Sequence, residues 1–236
     1  MKWLTIAKKE LNGYFGSLTA YIISTVFLLI TGWFFTSNIF LLNLATLRTV
    51  VELIPFLFLF LIPALTMGSF TEERKDGTIE LLFTMPISDF DLILGKFLSA
   101  FIFILFILVF TLCYPITIAI LGDPDNGQII TQYLAVILLA ASYISIGICV
   151  SSFSTNQVIS FIVTFLILFF FFIIDKFVPL MPYKIGKIFY TIAIMPKFNN
   201  LLKGVIDSQD LVYFITLILI FFGITQYSLE RRHWNG

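Results

Sequence analysis

Charge is scarce in this chain, histidine is almost absent and no phosphate-binding loop occurs; each shortage removes a class of function. Charged residues are 12% of the 236, against about a quarter in a soluble domain, so water alone cannot be the solvent. Lys+Arg and Asp+Glu are both 14, which leaves neither a basic footprint for nucleic acid nor an acidic tail. The one histidine, His233, lies in the tail, so there is no His-Glu-x-x-His zinc site and no histidine for catalysis within the membrane. No Gly-x-x-x-x-Gly-Lys-Ser/Thr run is present, because Gly95-Lys96 has Phe90 where the first glycine belongs. Energy from ATP would have to come from a partner chain. Cys113 and Cys149 both sit inside apolar runs and read as packing residues rather than a disulfide. The start lacks the apolar stretch and small-residue site of a cleaved leader, so the N-terminus is expected to be retained. No internal repeat is apparent, which weighs against the duplicated halves of many secondary transporters.

What remains is hydrophobic: 59% of residues, 29 of them Phe, with a mean hydropathy of +1.03. Six apolar segments, at 20–42, 51–70, 97–121, 130–153, 158–174 and 211–228, each approach the length a bilayer core requires. The expected fold is all-α: a polytopic membrane protein of about six transmembrane helices, in one domain over 1–236. Residues 1–16 place Trp3, Ile6, Ala7, Leu11, Tyr14 and Phe15 on one helical face and Lys2, Lys8, Lys9 and Asn12 on the other, which reads as an amphipathic interfacial helix. An even span count puts both termini on one side. Lys2, Lys8, Lys9, Arg74, Lys75, Lys96, Arg231 and Arg232 then make that side cytoplasmic, while the lysines of 175–210 fall outside. Within 175–210, Ile185, Ile188, Phe189, Ile192 and Met195 share a helical face broken by Pro196; the reading is a short helix at the outer surface. Asp123-Pro-Asp-Asn-Gly127 reads as a solvated turn.

Charges sit only at segment ends. Glu52 begins the second segment and Asp175-Lys176 ends the fifth, positions where water or headgroups can satisfy them. Arg48 and Glu52 are candidates for an outer vestibule that meets cargo. Ser142, Ser145, Gly147 and Ser151 along the fourth segment suit close helix packing, and Thr111, Tyr114 and Pro115 can bend the third.

The loop from Glu72 to Asp91 holds six of the chain's fourteen acids. So much charge between two spanning helices implies a structured element. Gly77 can end the arriving helix, and Ile79, Leu82, Phe83 and Pro86 recur at i, i+3, i+4 and i+7, giving a short amphipathic helix stopped by the proline. Ser88 followed by Asp91 is a capping-box spacing. On these grounds alone the hairpin could simply lie on the membrane surface.

The residues Glu73, Gly77, Thr78, Glu80, Leu82, Pro86, Ile87, Ser88, Gly95 and Lys96 match, in register, a pattern that resembles the ABC type-2 permease family. The resemblance covers nearly the whole chain. It implies that 72–96 holds a cytoplasmic coupling helix resting in a groove of a separate ATPase subunit. Glu73, Gly77, Thr78, Glu80, Leu82, Phe83, Pro86 and Ser88 would pass the motion on. It further implies that ATP and Mg are bound by that partner, with no catalytic, cofactor or metal residue in this chain. A second permease subunit, identical or similar, would complete the path, and an accessory membrane subunit is left open. The location implied is the inner (plasma) membrane with both termini cytoplasmic. Pro55, Pro63 and Ser154-Thr155-Asn156-Gln157 are similar to the branch of the gliding-motility permease GldF and the copper-enzyme maturation permease NosY. Two rival readings stay open on the residues: a stand-alone carrier or channel, and a membrane-embedded lipid-modifying enzyme. The interior offers no charged group by which to read a cargo.

Overall fold

The computed structural model describes residues 2–42, 46–78, 88–122, 125–180 and 182–233. Among them there are helices and no strand: α1 (Lys2–Gly16), α2 (Leu18–Leu42), α3 (Arg48–Thr66), α4 (Gly68–Lys75), α5 (Asp89–Thr111), α6 (Cys113–Leu121), α7 (Asn126–Phe153), α8 (Gln157–Phe177), a 3-10 turn (Val178–Leu180), α9 (Tyr183–Ile192), α10 (Met195–Leu202) and α11 (Ser208–His233). Six stretches are long and apolar enough to cross a membrane: Leu18–Phe40, Arg48–Lys75, Asp89–Leu121, Asn126–Phe153, Gln157–Leu180 and Ser208–Arg231. The expected spans are therefore present. The second runs on to Lys75 and the third starts at Asp89, because charged turns continue the helices past their apolar cores.

The most buried span is α7, packed against α3, α4, α5, α8, α10 and α11. Its sequence explains this position. Ala135, Ala140, Ala141, Ser142, Ser145, Ser151 and Ser152 are all buried, and small side chains let neighbouring backbones approach. The closest approach is at Gly147, where a Cβ would lie 2.1 Å from Thr66 Oγ1 of α3. Ser142 and Ser145 return their hydroxyls to the helix itself, at Leu138 O (3.0 Å) and Ser142 O (2.7 Å), so they pack without an orphaned polar atom. The third span is interrupted at Leu112, between α5 and α6, where Leu112 N bonds Val109 O at 3.1 Å. Thr111 pairs there with Tyr133 (3.1 Å) and Tyr114 with Thr31 (3.0 Å).

Two local expectations are corrected. Asn126 and Gly127 are not part of a solvated turn: they open α7, capped by Asp125, which accepts from Gly127 N (2.9 Å) and Gln128 N (3.2 Å); Asp123 and Pro124 lie outside the described residues. Nor does Pro196 break a helix. It occupies the first turn of α10, where a missing N–H costs nothing. The break is at Ala193–Ile194, both buried. Lys197 closes it by donating to Tyr190 O (2.7 Å), Thr191 O (2.8 Å) and Ala193 O (3.1 Å). Burial pulls this ammonium below the usual lysine range, with Asp210 partly offsetting the effect. On α9 the apolar Ile185, Ile188 and Ile192 are exposed, as suits a helix lying at a membrane surface.

Candidate functional site

The chemistry of this bundle gathers at the end that carries the termini, where α1, α4 and the start of α5 meet the α7–α8 junction. Its centre is Lys96 on α5. The sequence placed charges only at segment ends, but Lys96 stands two turns inside a helix with 1% of its side chain exposed. Its ammonium donates to Glu73 Oε1 of α4 (2.8 Å) and Glu10 Oε1 of α1 (3.1 Å), and lies 5.1 Å from the Phe70 ring centroid. Two carboxylates and an aromatic face repay part of the cost of taking a cation out of water.

Gly95 shows how the lysine comes to be covered. A Cβ there would meet Ile6 Cβ at 2.8 Å and the Trp3 carbonyl oxygen at 3.0 Å. Only a glycine lets α1 lie this close along α5, and the helix so placed puts Glu10 over Lys96. The neighbouring Gly95 and Lys96 thus do two parts of one job: close approach, then a charge lock.

The last turn of α4 is held from three sides. Glu72 Oε1 accepts from Gln157 Nε2 of α8 (2.9 Å). Glu73 binds Lys96. The Arg74 guanidinium donates to the carbonyls of Ser152 and Ser154 at the end of α7. One turn earlier, where the span breaks between α3 and α4, Ser151 of α7 accepts from Phe70 N (3.0 Å) and donates to Met67 O (3.2 Å).

Below that turn the helix is stopped sharply. Gly77 has φ +67°, in the left-handed region that side chains disfavour. Gly77 N donates to Arg74 O (3.2 Å) and Thr78 N to Glu73 O (2.9 Å). This is the paired bonding of a Schellman cap, so Gly77 is needed there for a backbone reason, while Thr78 contributes its main-chain N–H. On the far side, Ser88 caps α5: its hydroxyl accepts from Asp91 N (3.1 Å) and donates to Asp91 Oδ2 (2.8 Å). Between these stops, Glu80, Leu82, Phe83 and Pro86 lie outside the described residues.

The structure therefore joins Glu73 to Lys96, sets Gly77 and Thr78 in the cap that ends the helix of Glu73, and places Ser88 at the start of the same helix as Lys96. Arg48 and Glu52 stand apart from this cluster, at the other end of the second span. They form an i,i+4 pair (2.8 Å) with side chains about half exposed, 48% and 46%, a geometry that contributes little stability. Glu10, Glu72, Arg74, Ser151 and Gln157 were not anticipated as site residues. One signal was available: Glu10 is the only acid in a first helix that otherwise reads basic.

A family model described as ABC-2 family transporter protein matches residues 4–234. No curated protein matches the sequence.

Proposed function

Because the chain belongs to the ABC-2 family of transporter proteins, a family of transport membrane subunits that work with an ABC ATPase, we propose that it is the permease of an exporter driven through residues 72–96. In this reading the end bearing the termini and the charged cluster faces the cytoplasm. A separate nucleotide-binding subunit holds ATP and Mg and docks against the segment that includes Glu80, Leu82, Phe83 and Pro86. Its closure on ATP moves that segment, and the spans follow. A second permease subunit, identical or similar, completes the cargo path. The GldF- and NosY-like branch is the narrower assignment within this reading.

The observation that carries the proposal is the triple tether of Glu72, Glu73 and Arg74 to α8, α5 with α1, and α7. A force applied just below Gly77 meets no slack turn. It reaches four helices at once through charge-assisted bonds, part-buried except for the exposed Glu72–Gln157 bond, which is the arrangement a lever requires.

The test is copurification. The full chain, isolated from its host membrane in mild detergent, is expected to bring down an ATPase with a phosphate loop, and the eluate to hydrolyse ATP. Glu80→Arg should lower that ATPase yield and coupled hydrolysis while leaving membrane insertion unchanged. Transport by the isolated chain without ATP, or an unaltered Glu80→Arg complex, would overturn the assignment.

A further inference from the structure

The third span changes character at Leu112. Before that residue, eleven of the 23 residues of α5 are buried; after it, two of the nine in α6 are, Tyr114 and Ile118. Ile116, Ile120 and Leu121 are 61%, 79% and 58% exposed. At the end of the bundle opposite the charged cluster, α6 is thus a short helix resting on its neighbours chiefly through two side chains.

Pro115 makes this junction a backbone problem. In a continuous helix the N–H at position 115 would bond Thr111 O four residues back, and proline has none to give. A bare carbonyl inside an apolar bundle is costly. Tyr133 of α7 removes that cost: its hydroxyl donates to Thr111 O (2.9 Å) and meets Thr111 Oγ1 (3.1 Å). Thr111 Oγ1 in turn reaches Leu108 O (2.7 Å). Across the junction, Ile116 N approaches Leu112 O at 3.5 Å, the long end of the hydrogen-bond range. The last carbonyl of α5 is therefore satisfied from α7 and not from α6, so α6 can turn about Leu112 without stranding it.

Among the described residues, α6 is fastened to α2 by one hydroxyl pair. Tyr114 OH meets Thr31 Oγ1 at 3.0 Å, and the tyrosine ring stacks on Phe35 with centroids 4.5 Å apart. Thr31 also donates to Phe27 O of its own helix (2.9 Å), so the tyrosine supplies the proton between them. Parting the pair leaves Thr31 bonded and frees a single phenol. A void of about 10 Å³ lies between Thr111, Tyr114, Tyr133 and the start of α3. It is far too small for a ligand, but it removes part of the packing that would otherwise hold Tyr114 in place.

We propose that α6 is a flap hinged at Leu112, with Tyr133 as its pivot and the Thr31–Tyr114 pair, backed by Phe35, as its latch. Latched, it seals the seam between the first and third spans at this end; released, it parts from α2 and opens that seam while α5 stays anchored. Tyr133 is a positioning residue, since it keeps the end of α5 satisfied whichever way the flap stands. That the seam gates cargo rests on the exporter reading. The hinge itself does not, and the experiment reads the hinge.

The full chain in detergent micelles, with Cys113 and Cys149 replaced by alanine, would carry spin labels at Phe40→Cys on α2 and Ile120→Cys on α6, both strongly exposed. Pulsed dipolar spectroscopy should show one main distance between them. Tyr114→Phe or Thr31→Val should raise the share of a second, longer distance about fivefold, the effect of losing one hydrogen bond. Thr36→Val, whose hydroxyl returns to Gly32 O of its own helix (2.8 Å), should leave the distances unchanged. The pivot is read by a double-mutant cycle of melting midpoints. Tyr133→Phe should lower the midpoint by roughly 5 °C, and by less than half as much in a Pro115→Ala background, where the restored N–H takes over Thr111 O. A tyrosine that merely packs would cost the same in both backgrounds. Distances identical in the parent chain, Tyr114→Phe and Thr31→Val, an equal shift with Thr36→Val, or a Tyr133→Phe loss that Pro115→Ala does not reduce would each overturn the proposal.

Discussion

Replacing Lys96 by methionine tests whether the buried charge cluster holds α1, α4 and α5 together. The change keeps the length and apolar stem but removes the ammonium, leaving Glu10 and Glu73 facing each other under α1. At contacts of 2.8 and 3.1 Å, each attraction is worth about 5 to 6 kcal/mol at an effective dielectric of 20. Most of this is spent on desolvation, and removing one partner of a buried ion pair typically costs about 3–5 kcal/mol. For a chain of this size that corresponds to a fall of roughly 10 °C in the melting midpoint, read at one scan rate in one detergent. The decisive comparison is the triple variant Lys96→Met, Glu10→Gln and Glu73→Gln. With no buried carboxylate left to strand, it should recover most of the loss, because well-packed neutral groups replace buried ion pairs at little cost. A single variant as stable as the wild type would show that the lysine is not locked as described. A triple variant no better than the single would show that the loss came from packing and not from stranded charge.

Three further outcomes follow from particular contacts. Gly77→Ala places a Cβ on a residue at φ +67° and should cost about 1–2 kcal/mol, seen as faster amide exchange at Gly77 and Thr78; unchanged protection would argue against the cap. Gly147→Ala drives a Cβ to 2.1 Å from Thr66 Oγ1, so α3 and α7 must part and the melting midpoint should drop by several degrees, roughly 1–3 kcal/mol of overpacking, with partial recovery on adding Thr66→Ala. In a background lacking Cys113 and Cys149, Glu52→Cys should react with an impermeant maleimide added outside intact cells and Lys8→Cys only after lysis; the reverse pattern would invert the proposed orientation.

The spans were legible because an apolar run of bilayer length is a one-dimensional signal, and the caps because they are local. Gly77 and Ser88 act on residues within five positions, so their spacing alone announced them. The charge cluster was hidden for the opposite reason. Lys96 finds Glu73 at 23 positions' separation and Glu10 at 86, and a lysine beside an apolar segment looks like an interfacial anchor. Only the packing of α1 on Gly95 turns it inward. Pro196 was misread because proline both starts and stops helices; which of the two it does depended on Lys197 being free to close α9, a contact that periodicity does not encode.

The α3–α4 break bears on how force would travel through the molecule. Met67 keeps helical angles and bonds Pro63 O at 2.9 Å, but Phe70 N leaves the backbone ladder; without a substitute for that bond, a pull on α4 would be partly absorbed before reaching α3. Ser151 changes that outcome. By bonding both Met67 O and Phe70 N, it ties the two sides of the interruption to α7, which Arg74 already grips lower down. The second span is thus splinted at this interruption by the central helix. With Gly147 holding α3 against α7 one turn further in, the proposed motion at Gly77 would reach the bundle through α7 as much as through α3. In the proposed mechanism the small residues of α7 would serve transmission as well as packing, because a bulkier helix would stand off from α3.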